Sequence, residues 1–136
     1  MNLKQRRALK DFQENQLPAL KERMFAALGF EPELEVDWDS LMIEDWEHRV
    51  EEHFRDVYFV SATKGFEQVG QDDMGKEAMK EGISRIVMQN RSKNYYGDRW
   101  ASLKDGVLTL DHEPNSNVGN IQDRADGLQA VLEENL

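Results

Sequence analysis

Seven carboxylates are spaced so that they could act together: Glu33, Glu35, Asp37, Asp39, Glu44, Glu47 and Glu51. Alternate side chains of an extended chain point the same way, so the first four share one strand face, with neighbours roughly 6–7 Å apart. In a helix, residues three and four apart are neighbours, so Glu44, Glu47 and Glu51 line one side. Such a surface suits docking of a basic protein, because complementary charge speeds encounter and selects partners. The same carboxylates would also serve as a solvated face that blunts strand-edge aggregation. They make a poor calcium site, which needs carboxylates and carbonyls wrapped around one point by a Gly-containing turn. No D-x-[DN]-x-[DN]-G loop is present, and a strand face splays its acids apart. No metal site and no cofactor are expected.

His48, Glu52, His53 and His112 are the other ligand types available. His48 and Glu52 are four apart and could share a metal on a helix, but His53 is displaced from His48 by about 140° around the axis. The H-E-x-x-H pattern is absent, and H-R-V-E-E-H misses H-x-x-E-H by one residue. The expectation is His48 paired with Glu52 at the surface and His53 at the core margin. With no Cys, there is no thiolate ligand, thiol nucleophile or disulfide. No G-x-S-x-G elbow and no glycine-rich phosphate loop appears. These residues assign no catalytic group, and whether the chain is an enzyme stays open.

A second constellation is Arg91, Lys93, Tyr95, Tyr96, Arg99 and Trp100. Basic and aromatic residues interleaved in a loop could stack on bases or grip phosphate. The same types are enriched at protein interface hot spots. They could also cover a sheet edge or pair with the acids of residues 31–56.

The elements that must carry these groups can be read from periodicity. Leu9, Phe12, Leu17, Leu20, Met24 and Leu28 recur at helical spacing over residues 3–28. Pro18 either kinks this helix or begins a second one, and Gly29 ends it. Leu34, Val36 and Trp38 alternate with acids, as in a strand covered on one face. Asp39 or Ser40 then caps a helix whose stripe runs Met42, Trp46, Val50, Phe54, Val57 and Ser61, with Gly65 closing six to seven turns. Asp72 or Asp73 caps a short helix that Gly82 ends. Ile83–Gln89 reads as a buried strand, residues 90–98 as a loop, and Arg99–Leu103 with Val107–Leu110 as a hairpin about Asp105-Gly106. Ile121, Ala125, Leu128, Leu132 and Leu136 give a closing helix.

The predicted order is α-β-α-α-β-β-β-α in a single domain spanning residues 1–136. The predicted class is α+β, with a small antiparallel sheet of three or four strands and helices packed on one face.

Charge is concentrated. Residues 31–56 hold eleven Asp or Glu against two Arg, which is −9 of the chain's net −10. This balance disfavours nucleic acid and anionic membrane. No run approaches the roughly 18–20 apolar residues of a membrane span, and residues 1–15 carry no signal-type apolar run. A soluble, cytoplasmic location is expected. The functional expectation is an interaction protein that binds a basic protein through the acidic strand and helix, as an inhibitor, antitoxin or immunity protein would. The alternative is a small ligand-binding domain or enzyme with a pocket between sheet and helices, to which Arg91, Tyr95, Tyr96, Arg99 and His112 would contribute. Self-association through an apolar helix stripe is the third possibility.

Overall fold

The computed structural model describes residues 1–43 and 45–136. Glu44, expected on the acidic helix side, lies outside the described residues.

The first helical stretch is two helices, α1 (Leu3–Asn15) and α2 (Leu17–Leu28). Asn2 and Gln5 form a reciprocal capping box at the start of α1, each side chain bonding the other's backbone N–H at 2.9 Å. Pro18 falls in the first turn of α2, where its missing donor costs nothing. Gly29 ends α2 in the left-handed region, φ +82°.

Strand β1 (Glu33–Val36) is shorter than the alternation suggested. Asp37 turns the chain by capping α3 (Trp38–Leu41), accepting from the Ser40 N–H at 3.4 Å. The cap is thus Asp37, not Asp39 or Ser40. The long helix expected after it is corrected more deeply. A 3-10 turn (Trp46–His48), the short α4 (Val50–Glu52), a π-helix (His53–Val60) and α5 (Ser61–Val69) take its place. Asp45, in the left-handed region at φ 58°, separates α3 from the 3-10 turn. In the π-helix each N–H reaches back five residues. That wider turn brings His53, Phe54, Val57, Tyr58 and Phe59 to the interior. An apolar stripe marks the inward side without distinguishing a four-residue step from a five-residue one.

Helix α6 (Asp73–Gly82) is capped by Asp72, which accepts from the Gly75 N–H at 2.8 Å. Strand β2 (Arg85–Gln89), a 3-10 turn (Gly97–Arg99), β3 (Ala101–Lys104), β4 (Val107–Asp111) and α7 (Ile121–Asn135) complete the chain. Asp105 and Gly106 join β3 to β4 with φ 52° and 79°, the two positive values a tight twisted hairpin requires.

The protein is a mixed α and β fold with helices on a four-stranded sheet of order β1-β2-β4-β3. The strand pairing differs from expectation. β1 with β2 and β2 with β4 are parallel, and only β3 with β4 is antiparallel. Parallel pairs need long connections, and the helices between β1 and β2 supply one. The hairpin signal concerned only the last pair.

Register puts Leu34, Ile86 and Leu108 in one row and Val36, Met88 and Leu110 in the next. Leu103 and Ala101 extend these rows on β3. This face carries the core. The opposite face, with Glu33, Glu35, Arg85, Val87, Gln89, Thr109, Asp111, Ser102 and Lys104, remains exposed or half-exposed.

An aromatic cluster pins the acidic segment to the helices. Phe54 lies 5.7 Å from Phe12 of α1, 5.0 Å from Trp38 and 4.0 Å from Trp46, between ring centroids. Glu31, Glu33, Glu35, Asp39, Asp45, Glu51 and Glu52 are exposed, while Trp46 and Phe54 of the same segment are buried. Among the described residues, no helix is long and apolar enough to cross a membrane.

Candidate functional site

The six described acids of the predicted seven do not form one face. Glu33 and Glu35 are exposed on the open face of the sheet. Asp37, already at the end of β1, caps α3. Glu47 is half-buried in the 3-10 turn and Glu51 exposed in α4. These two segments pack against α1, where Trp46 Nε1 donates to the Gln5 carbonyl at 3.4 Å. Strand acids and helix acids thus sit on different layers. Two have cations of their own: Glu35 ion-pairs with Arg85 and Asp37 with Arg91, while Glu47 lies 4.0 Å from His48 Nε2. Among the described residues, Glu31, Glu33, Asp39, Asp45, Glu51 and Glu52 are exposed and have no ion-pair partner.

The predicted loop also divides. Arg91 is drawn to Asp37, Lys93 stands exposed at φ 55°, and Trp100 is 1% exposed and belongs to the core. Trp100 Nε1 donates to the Arg124 carbonyl at 2.7 Å. Tyr95 and Tyr96 stay in solvent, and the Arg99 guanidinium carbon lies 5.5 Å from the Tyr96 ring centroid.

The histidines fall apart. His48 is exposed, and among the described residues it pairs at 4.0 Å with Glu47, not with the expected Glu52. His53 lies fully in the core, not at its margin, and His112 is buried on another element. No group of three or more His, Asp or Glu is placed to hold a metal ion among the described residues.

A buried polar cluster joins Ser61, expected only as part of a helix stripe, and His112, expected as a pocket contributor, to two residues the sequence did not single out, Tyr58 and Arg124, all four at 0% exposure. The Tyr58 hydroxyl lies within hydrogen-bond reach of the carbonyls of Gln89, at 2.9 Å, and of His112, and donates its one proton to either. It links the carboxyl ends of β2 and β4. Burial pushes this phenol well above its ordinary range, so it remains a donor. Arg124 donates from Nε to Ser61 Oγ at 2.9 Å, from Nη1 to the Asn117 carbonyl at 2.7 Å and from Nη2 to the Val118 carbonyl at 2.6 Å.

His112 Nδ1 lies 2.7 Å from the Glu113 carbonyl, so the neutral ring carries its proton there. Its Nε2 has no partner among the described residues. Burial, with Arg124 adding positive charge nearby, holds His112 below the ordinary histidine pKa. Burial does the same for His53, helped by Arg49. The sequence signals existed. His112 continues the Leu108–Leu110 alternation, and Arg124 stands four residues before Leu128 on the apolar side of α7.

The Tyr58 hydroxyl and the Arg124 guanidinium are taken up by protein acceptors, and their chemistry is that of a structural tie. What faces solvent is the divided acidic surface and the tyrosine pair. The chain matches no family model, no curated protein and no solved structure.

Proposed function

We propose that this protein acts by binding a basic protein partner, and that the exposed acids of residues 31–56 supply the attraction. One observation carries this reading: six carboxylates of that segment, Glu31, Glu33, Asp39, Asp45, Glu51 and Glu52, stand in solvent with no ion-pair partner among the described residues. Sheet pairing holds Glu33, and the aromatic cluster around Phe54 holds the segment from Trp38 to Phe54, so binding would not have to order a loose tail. An inhibitor, antitoxin or immunity protein would act in this way. Glu35 and Asp37 are occupied by Arg85 and Arg91 and would serve mainly to set the edge of the surface.

The test is charge reversal where no internal pair is lost. Glu33→Lys, Asp39→Lys, Glu51→Lys and Glu52→Lys in one chain should release a partner that the native protein captures at low salt. The native complex should also dissociate near about 0.5 M salt, where screening shortens the reach of exposed charge. Retention of the same partner by the fourfold variant would sink the reading.

A further inference from the structure

A cleft of about 410 Å³ lies between the loop carrying the tyrosines and α7, with Tyr95, Tyr96, Asp98, Asn117, Asp123 and Asp126 in its wall. Its volume falls within the roughly 300–1,000 Å³ of small-ligand sites. Tyr95 and Tyr96 are 45% and 49% exposed, with ring centroids 4.5 Å apart. Their backbone is nevertheless held. Asn117 Nδ2 donates to the Tyr95 carbonyl at 2.7 Å, Asn94 Nδ2 to the Tyr96 carbonyl at 2.9 Å, and the Tyr96 N–H to Asn94 Oδ1 at 3.2 Å. The loop then touches α7 directly, since a Cβ on Gly97 would stand 2.7 Å from the Asp123 carbonyl carbon. Two large exposed rings on a held backbone are what interface anchors use, because an aromatic side chain has few torsions to lose on contact.

Charge selects the occupant. Asp98 and Asp123 are exposed and have no ion-pair partner among the described residues. Asp126 accepts from Gln122 Nε2 at 2.6 Å and from Gln68 Nε2 at 3.2 Å, which leaves its charge uncompensated. Arg124 lines the cleft, yet its guanidinium is committed to Ser61, Asn117 and Val118. An anion would meet three carboxylates. A neutral ring could stack on the tyrosines but would strip water from Asp98 and Asp123 without replacing it. A guanidinium satisfies both needs, stacking flat on an aromatic ring while donating to carboxylates. Arg99 against Tyr96 already makes the stacking half of that contact within the chain.

We infer that this cleft seats an arginine side chain of a basic polypeptide, with the Tyr95–Tyr96 rings as its platform and Asp98 and Asp123 as counter-charges. This rests on the reading of a basic partner, and adds the place where one of its side chains anchors.

The probe is N-acetyl-arginine amide, titrated into the full chain and followed by amide chemical shifts, against the uncharged citrulline analogue. Shifts should be confined to residues 94–98 and 117–127 and should saturate with a Kd on the order of 1 mM. Tyr96→Ala and Asp123→Asn should each weaken binding roughly 3- to 10-fold. Tyr96→Phe, which keeps the ring, should bind as the native chain does. Arg99→Gln should bind more tightly, since it removes an internal competitor. Equal shifts with the citrulline analogue would overturn the inference, as would shifts confined to residues 31–56. That second outcome would leave the acidic segment standing as the docking surface. Cleft binding of the arginine probe, with partner capture surviving the fourfold reversal, would overturn the acidic segment alone.

Discussion

The Nε of Arg124 donates to the Ser61 hydroxyl at 2.9 Å, and that hydroxyl donates to the Asp56 carbonyl at 2.6 Å. The C-terminal helix is thereby tied into the carbonyl ladder of the π-helix. Arg124 also holds the carbonyls of Asn117 and Val118, and its own carbonyl accepts from Trp100. Among the described residues no carboxylate ion-pairs with this guanidinium. Burial pulls its pKa down to about 10, which leaves it charged at neutral pH.

Removing the fork should therefore strand three acceptors at once. Arg124→Ala is expected to lower the unfolding free energy by about 3 kcal/mol or more, since each orphaned buried polar group costs on the order of 1–3 kcal/mol. Arg124→Lys should recover little of this, because an ammonium cannot reproduce the planar fork. Ser61→Ala should cost about 1 kcal/mol, and the double variant should lose less than the sum. Urea titration of the four proteins measures this, and a loss below about 1 kcal/mol for Arg124→Ala would show that the tie is not structural.

Mild acid should weaken the fold through His53 and His112. Burial lowers the folded pKa of both, so below the ordinary value of 6.5 the unfolded chain takes up protons that the native protein resists. Stability is full above pH 6.5 and falls as pH drops below it, by at most about 1.4 kcal/mol per pH unit for each histidine. His112 is the sharper case, because its protonated Nε2 would need a buried acceptor beside Arg124. The urea midpoint should fall between pH 7.5 and pH 5.5 in the native protein. His53→Gln with His112→Gln should flatten that dependence, and an unchanged slope would remove the histidines as its cause.

Gly127 is where α7 meets the tyrosine loop. A Cβ there would overlap the Gly97 carbonyl, a backbone atom that cannot swing aside. Gly127→Ala is expected to cost about 1–3 kcal/mol although alanine favours helices. The same substitution should displace the amide signals of Tyr96 and Gly97. A stabilised variant with unchanged loop signals would mean that helix and loop do not press on each other at this point.

Features set by neighbouring residues were legible in the chain. Pro18 marked the junction of two helices, Gly29 a stop, Asp105-Gly106 a hairpin, and the order of the four strands along the chain was readable from them. Parallel pairing was not, since Glu33 meets Arg85 across about fifty intervening residues and nothing local encodes direction. The π-helix escaped for a related reason: Phe54, Val57 and Ser61 mark an inward face under either ladder. The acidic surface was legible in charge but not in layout. Arg85 and Arg91, which occupy Glu35 and Asp37, lie far along the chain, and the bend at Asp37 separates strand acids from helix acids.

Asp111 shows how the end of the sheet shapes the loop above it. Its carboxylate accepts from Gln89 Nε2 at 3.0 Å, Ser92 Oγ at 2.8 Å, and the backbone N–H groups of Arg91 and Ser92, both at 3.2 Å. Those contacts fix where the chain leaves β2 and so where Tyr95 and Tyr96 emerge. Asp111→Asn keeps the shape but replaces one accepting oxygen with a donor. It should cost about 1–3 kcal/mol, because charge-assisted bonds to backbone are among the stronger ones. Glu35→Gln, which loses only the half-exposed pair with Arg85, should cost about 0–1 kcal/mol. Hydrogen exchange separates a local effect from a global one. Protection at Arg91 and Ser92 should fall in Asp111→Asn by more than the global loss explains, while Leu108 and Leu110 follow the global value. Equal losses at all four amides would mean that Asp111 stabilises the sheet without organising the loop.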